Sequence, residues 1–317
     1  MMRKEKLSKK IKYESGKAPT MCSLLMSFPE RLLIMRKVNN RYEFIIVFDV
    51  EDRDFHKDIY SEGDIMIDSQ RKYSIVMNSY LKRKIRHHVS RIYGEKELCK
   101  IFFKRDKPLS QKCKEAYEAC GLKTGEKRKN RAVVSVANDY MCKNYYDVRT
   151  FGAVMDDREN PCGSVHGPVQ IVIAQSEDPV LLQEIKSPWE LINADKINVE
   201  ETKIDQQVDV HYALYQAHGF VIPSAAKKTN FSEEDLEILW DAIIHMFDFD
   251  GAENGKFRVR KLIIFKHSTP LGDTPASALF HKVIVKKKDG VEVPCRFSDY
   301  TITIKDIPDS IEVIEKL

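Results

Sequence analysis

The chain has 317 residues, 43% of them hydrophobic and 32% charged, which is enough for a sizeable core in one large domain or two smaller ones. Its clean apolar runs, such as Phe44-Ile45-Ile46-Val47-Phe48, are far shorter than the ~20 residues that span a bilayer, so no membrane contact is expected. Net charge is only +4, yet Arg71 to Arg131 holds 19 Lys/Arg against 6 Asp/Glu, and Glu177 to Lys256 holds 6 against 17. A basic block of that size attracts polyanions. The acidic block is a solvated face or meets the basic block of a neighbouring copy.

Residues 1–37 read as a flexible, lysine-rich extension on which little of the fold depends. Pro29, Glu30 and Arg31 interrupt its only apolar stretch, which argues against a secretory signal and for a cytoplasmic chain. Arg41 to Val50 has the composition and length of a buried strand. An acidic loop follows, Glu51 to Asp68. A helix is predicted from about Ile75 to Tyr93, because Met77, Leu81, Ile85, Val89 and Ile92 recur every three to four residues and share one face. Lys82, Arg83, Arg86, His87 and Arg91 fall on its other side. Ser110 to Cys120, closed by Gly121, reads as a short capped helix, and Lys123 to Arg131 as a basic loop.

Asp147 to Met155 is predicted as a strand or irregular packed segment, and Gly167 to Ala174 as a strand, around a turn-rich stretch with Pro161 and Gly163. A long excursion runs from Glu177 to about Asn230, with strand character from Val208 to Val221. Ser232-Glu-Glu-Asp235 fits a capping box opening a helix whose buried stripe is Leu236, Leu239, Trp240, Ile243 and Phe247. Phe257 to Lys266, Phe280 to Val285 and Tyr300 to Ile304 are predicted strands. Strand, helix, strand, strand, helix, strand is the order of an α+β, ferredoxin-like fold, which RNA-recognition modules share with many unrelated domains.

Two constellations could carry function. Lys82, Arg83, Arg86 and Arg91 on the outside of a packed helix suit successive phosphates; the alternative is a merely solvated cationic face. Asp49, Glu51, Asp52, Asp54, His56 and Asp58 could hold a divalent ion for phosphodiester cleavage, but the spacing matches no calcium loop, and solvated acids are the simpler account. The seven cysteines (Cys22, Cys99, Cys113, Cys120, Cys142, Cys162 and Cys295) lack the two-residue gap of a zinc knuckle and read as reduced thiols. There is no Walker loop, dinucleotide fingerprint or Gly-x-Ser-x-Gly elbow, and His218 and His267 read as core or turn residues. The residues therefore predict no catalytic group, no metal and no cofactor. A protein-interaction scaffold without nucleic acid stays open beside the RNA-binding and nuclease readings.

Several strings then occur in a specific order: Arg41-Tyr-Glu-Phe with Phe48-Asp-Val50, Leu81-Lys-Arg-Lys-Ile-Arg86, Tyr146-Asp-Val-Arg-Thr-Phe-Gly-Ala-Val-Met155, Cys162-Gly-x-Val-x-Gly-Pro-Val-Gln170, His218-Gly-Phe-Val221, Phe231-Ser-Glu-Glu-Asp-Leu236 and Phe297-Ser-Asp-Tyr300. The set, from Asn39 to about Ile304, resembles the Cas7 family, the backbone subunit of CRISPR Cascade surveillance complexes, and is most similar to type I-C. The resemblance implies a modified RNA-recognition-type palm with inserted finger and thumb elements, in one domain over 38–317. The basic helical finger region would lie within 71–131 and the thumb within 177–230. It also implies a non-enzymatic subunit in antiviral defence. Its partners would be CRISPR RNA, target DNA through the guide, other copies stacked head to tail, and other Cascade subunits. The family's basic helix maps onto Lys82, Arg83, Lys84 and Arg86, and its Asp-Val-Arg-Thr-Phe-Gly segment onto Asp147 to Gly152, with Arg149 an RNA or structural contact. Arg41 and Arg91 complete the expected RNA-binding set. Where type I-C members carry Gly-Asn-Pro-Asn-Gly-Asp after the first strand, this chain has Glu51-Asp-Arg-Asp-Phe-His-Lys-Asp58, and Val180 to Val208 is likewise altered and richer in acids.

Overall fold

The computed structural model describes residues 36–54, 65–94, 97–104, 106–125, 130–185, 207–249 and 257–317. The expectations for 1–35, for the acidic loop from 55 to 64, for the basic loop at 126–129 and for the middle of the excursion at 186–206 lie outside the described residues.

In chain order the strands are β1 (Tyr42–Asp54), β2 (Ile65–Ile67), β3 (Ser74–Val76), β4 (Gly152–Met155), β5 (Gly163–His166), β6 (Val169–Ile171), β7 (Ala174–Ser176), β8 (Leu182–Ile185), β9 (Gln207–Val221), β10 (Phe257–His267), β11 (Val283–Lys287), β12 (Tyr300–Ile304) and β13 (Ile311–Lys316). The helices are α1 (Asn78–Ile92), α2 (Leu109–Ala119), α3 (Arg131–Asn144), α4 (Tyr146–Phe151), α5 (Pro223–Thr229), α6 (Glu233–Ile244) and α7 (Ala276–Phe280).

The main sheet runs β13-β10-β1-β9-β7-β3-β2, with β6 and β8 also paired to β9. Every pairing is antiparallel. β1 lies inside this sheet because it is apolar on both faces, and a strand buried on both faces reads as a continuous apolar run. Phe44, Ile46, Phe48 and Val50 join the core formed with α1 and α6. Ile45 and Val47 face the opposite way, against Leu279 of α7, Val283 of β11 and Tyr300 of β12. Gly219 is opposite Phe44 in the β1–β9 register, and a Cβ there would land in the Phe44 ring. The glycine of the His-Gly-Phe-Val string is thus explained by packing.

A separate apolar cluster holds α2, α3, α4 and the β4–β5 hairpin together through Cys113, Tyr117, Met141, Val148 and Met155. Gly152 closes α4 at φ 84°, where its hydrogen lets Val165 O and Gly167 N approach. This helical module carries Lys112, Lys114 and Arg131 of the basic block.

The structure changes several predicted elements. The segment at 75 begins as β3, and α1 starts only at Asn78. Asp147 to Phe151 is helical before the strand begins at Gly152, despite its β-branched and aromatic residues. Phe280 ends α7, so the next strand starts at Val283. The segment 167–174 divides into β6 and β7. The capping box at Ser232 is complete: Asp235 N donates to Ser232 Oγ at 3.2 Å, and Ser232 N donates to Asp235 Oδ2 at 3.0 Å. All five residues of the predicted α6 stripe are buried.

Candidate nucleic-acid interface

α1 has no acidic residue in its first turn and carries Arg91 in its last, which suits the negative C-terminal end of the helix dipole. Leu81, Ile85 and Val89 are buried as the periodicity predicts, joined by Tyr80 and His88. The cations do not form one outer stripe. They divide between two flanks of the helix, and the long side chains on each flank lie over aromatic rings.

On the first flank, Lys82 Nζ lies 5.6 Å from the Phe151 ring centroid. Arg86 lies 5.2 Å from the same ring and 4.6 Å from the Phe103 ring, and its Nε donates to Asp147 Oδ2 at 3.1 Å. Burial holds Lys82 below the usual lysine range, with the nearby Arg86 charge adding to the effect. Burial also lowers Arg86, and the Asp147 carboxylate opposes that. On the second flank, Lys84 is 5.0 Å from the Tyr80 ring and Arg91 is 4.7 Å from the Phe249 ring. Arg83 is exposed between the flanks and also reaches the Tyr80 ring, at 5.3 Å.

Arg86 is therefore only partly a surface cation, with most of its guanidinium stacked or paired. Arg149, expected as an RNA or structural contact, makes a structural one. It is buried, and it donates from Nε and Nη2 to the two carboxylate oxygens of Asp235 at 3.0 and 2.7 Å. Every residue from Tyr146 to Phe151 is buried, so this string is a structural joint between α4 and the cap of α6. Arg41 is half-buried at the start of β1 and donates to Glu43 Oε1 at 2.6 Å. Glu43 also pairs with the buried His267, whose Nδ1 accepts from Asp273 N at 2.7 Å. Arg41 thus belongs to a charge cluster with Glu43, His267 and Asp273.

The basic block is also partly spent internally. Lys112 is buried and donates to Phe102 O, Lys104 O and Asp106 Oδ1 at 2.6 to 2.8 Å. Lys107 pairs with Glu115, and Lys114 with Glu118.

The predicted acidic loop is strand at both ends, β1 running to Asp54 and β2 covering Ile65–Ile67, and the acids of β1 are occupied in a similar way. Asp49 is buried and accepts from Arg260 Nε at 2.8 Å and Tyr212 OH at 3.1 Å, while Arg260 Nη2 reaches Glu51 at 3.2 Å. A carboxylate held by a guanidinium is a poor candidate for binding a metal ion. Among the described residues, no group of three or more His, Cys, Asp or Glu is placed to hold one. Among them, too, no helix is long and apolar enough to cross a membrane.

Sequence reasoning missed Asp147 and Phe103. Asp147 accepts from Phe102 N at 2.7 Å and Phe103 N at 3.0 Å as well as from Arg86, so it fixes a loop to α1. The readable signal was Phe102-Phe103-Lys104-Arg105, where aromatic and basic residues adjoin.

A family model described as CRISPR-associated protein Cas7 matches residues 40–305. Two of the solved chains that show similarity come from CRISPR RNA-guided surveillance complexes. One comes from a CRISPR RNA-guided surveillance complex described as pre-nicking, with 12% identity, coverage of 71% of this chain and 78% of that one, and a TM-score of 0.39. The other comes from a CRISPR RNA-guided surveillance complex, with 11% identity, coverage of 71% and 75%, and a TM-score of 0.34. No curated protein matches the chain.

Proposed function

This chain belongs to the CRISPR-associated protein Cas7 family, and from that premise we propose that it is the guide-RNA-binding backbone subunit of a type I Cascade-like surveillance complex in antiviral defence. The observation that carries the reading is the family match over residues 40–305, which includes the whole of α1 and its cations.

The mechanism is positioning rather than chemistry. Lys82, Arg83, Lys84 and Arg91 offer charge to phosphates without reading bases, so any guide sequence can be carried. Arg86 contributes to the same surface chiefly by ordering it. Arg41 belongs to the proposed RNA-facing set only through its exposed part. The subunit is non-enzymatic and cytoplasmic, and it is nearest to type I-C. Its partners are CRISPR RNA, target DNA through the guide, further copies of itself and other Cascade subunits.

The palm is a ferredoxin-like sheet within a single domain over 38–317. The sheet order β10-β1-β9-β7, with β6 on β9 and with α1 and α6 packed on one face, supports that assignment. The finger lies within 71–131 and the thumb within 177–230. Copies stack partly through their opposed basic and acidic blocks, so assemblies loosen as salt rises; assembly indifferent to salt would count against this.

The test is to sequence the RNA that copurifies with the protein. Repeat-spacer RNA of one length class is expected. Random RNA, or none, refutes the reading.

A further inference from the structure

Phe103 is 51% exposed and lies in a segment rich in lysine and arginine. It is nonetheless held firmly. Its backbone N donates to buried Asp147, and the carbonyl of the next residue, Lys104, accepts from buried Lys112 at 2.7 Å. Its ring meets Phe102 edge to face at 5.1 Å. The Arg86 guanidinium lies 4.6 Å from its centroid, and the same guanidinium lies 5.2 Å from the Phe151 ring. Ring, cation and ring thus form a stack that starts in the core at Phe151 and ends at solvent on Phe103.

A fixed ring loses little freedom when a ligand settles on it. The surrounding charge specifies which ligand fits. Lys100 and Lys104 flank Phe103 in the chain and are exposed, and Lys82 lies over Phe151. A rigid aromatic face within a cationic surface matches an unpaired nucleobase whose phosphates run alongside. We propose that Phe103 is a stacking platform for one unpaired base of the bound RNA, backed by Arg86 and Phe151. This rests on the guide-RNA reading and deepens it by adding a base contact to the phosphate contacts. Stacking tolerates every base, so the platform preserves indifference to guide sequence.

The test uses the full-length protein, a fluorescent single-stranded RNA and an abasic ribose-phosphate oligomer of equal charge. Phe103→Ala weakens RNA binding roughly 5- to 150-fold, the range for losing one base–aromatic stack, while Phe103→Tyr retains it. In Phe103→Trp, RNA quenches the new indole emission and the abasic oligomer does not; this readout decides the matter even if the alanine variant folds poorly. Wild-type binding matched within twofold by Phe103→Ala, or indole emission that RNA leaves unmoved, overturns the platform and leaves the guide-RNA reading intact. Weaker self-association with unchanged RNA affinity also overturns it, by assigning the ring to a protein contact. A wild-type chain that binds no RNA overturns the guide-RNA reading and the platform together.

Discussion

Replacing Arg149 with alanine separates a structural arginine from an RNA-binding one. The guanidinium and the Asp235 carboxylate are 5% and 6% exposed and make two hydrogen bonds of 3.0 and 2.7 Å. Removing the guanidinium leaves Asp235 buried and without its counter-charge. Breaking a buried pair from one side costs about 3–5 kcal/mol. At about 2.1 cal/mol/K of unfolding entropy per residue, a chain of 317 residues shifts by roughly 1.5 °C per kcal/mol, so the melting temperature drops by about 5–8 °C. Arg149→Lys keeps the charge but loses the two-pronged geometry and falls in between. The assay is urea and thermal unfolding: the midpoint falls while the urea slope stays constant. RNA affinity, measured well below the lowered midpoint, remains within a few-fold. An Arg149→Ala protein within about 1 kcal/mol of wild type that has lost RNA binding would refute the structural assignment.

Gly219→Ala forces a methyl group into the Phe44 ring and costs about 1–3 kcal/mol, read by the same unfolding curves. Glu177 tests pH linkage. Burial, helped by the Asp178 charge, pushes its carboxyl up from 4.5 to about 7. The folded state therefore favours the protonated form. That stability is fully present below pH 4.5 and lost as pH rises through about 7. Glu177→Gln accordingly gains on wild type in melting temperature between pH 5 and pH 8, and parallel curves across that range would contradict the assignment. Arg83→Ala lowers RNA affinity equally across sequences and reduces the slope of log K against log salt by about one, measured by anisotropy titrations at several salt concentrations.

Elements with strong local signals were legible. β1 declared itself by an unbroken apolar run, α6 by its capping box and stripe, and α1 by its periodicity. The region 146–151 was not legible, because its helix is imposed from outside. Asp147 is held by Phe102 N, Phe103 N and Arg86, and Arg149 by Asp235, which is 86 residues away. Local propensity cannot report such partners. β13 escaped notice because Ile311-Glu-Val-Ile-Glu-Lys316 alternates imperfectly over six residues. The basic block was legible as composition but not as a surface. Lys112 counts toward it yet is buried, and Lys107 and Lys114 are paired within the module. The family strings gave the order of the pieces but left open the roles of individual residues, and Arg149 shows the difference.

The position of β1 in the sheet has a consequence for how the protein is made. β1 ends at Asp54, and its two neighbours start only at Gln207 and Phe257. At roughly 5–20 residues per second, a ribosome needs about 10–30 s to reach the first of them. For that interval the nascent chain carries Phe44-Ile45-Ile46-Val47-Phe48 with no native strand partner. Sheet closure then follows late, through long-range pairing that is intrinsically slow. Production of the protein should therefore be sensitive to chaperone supply and to temperature during synthesis, even where the finished fold is stable.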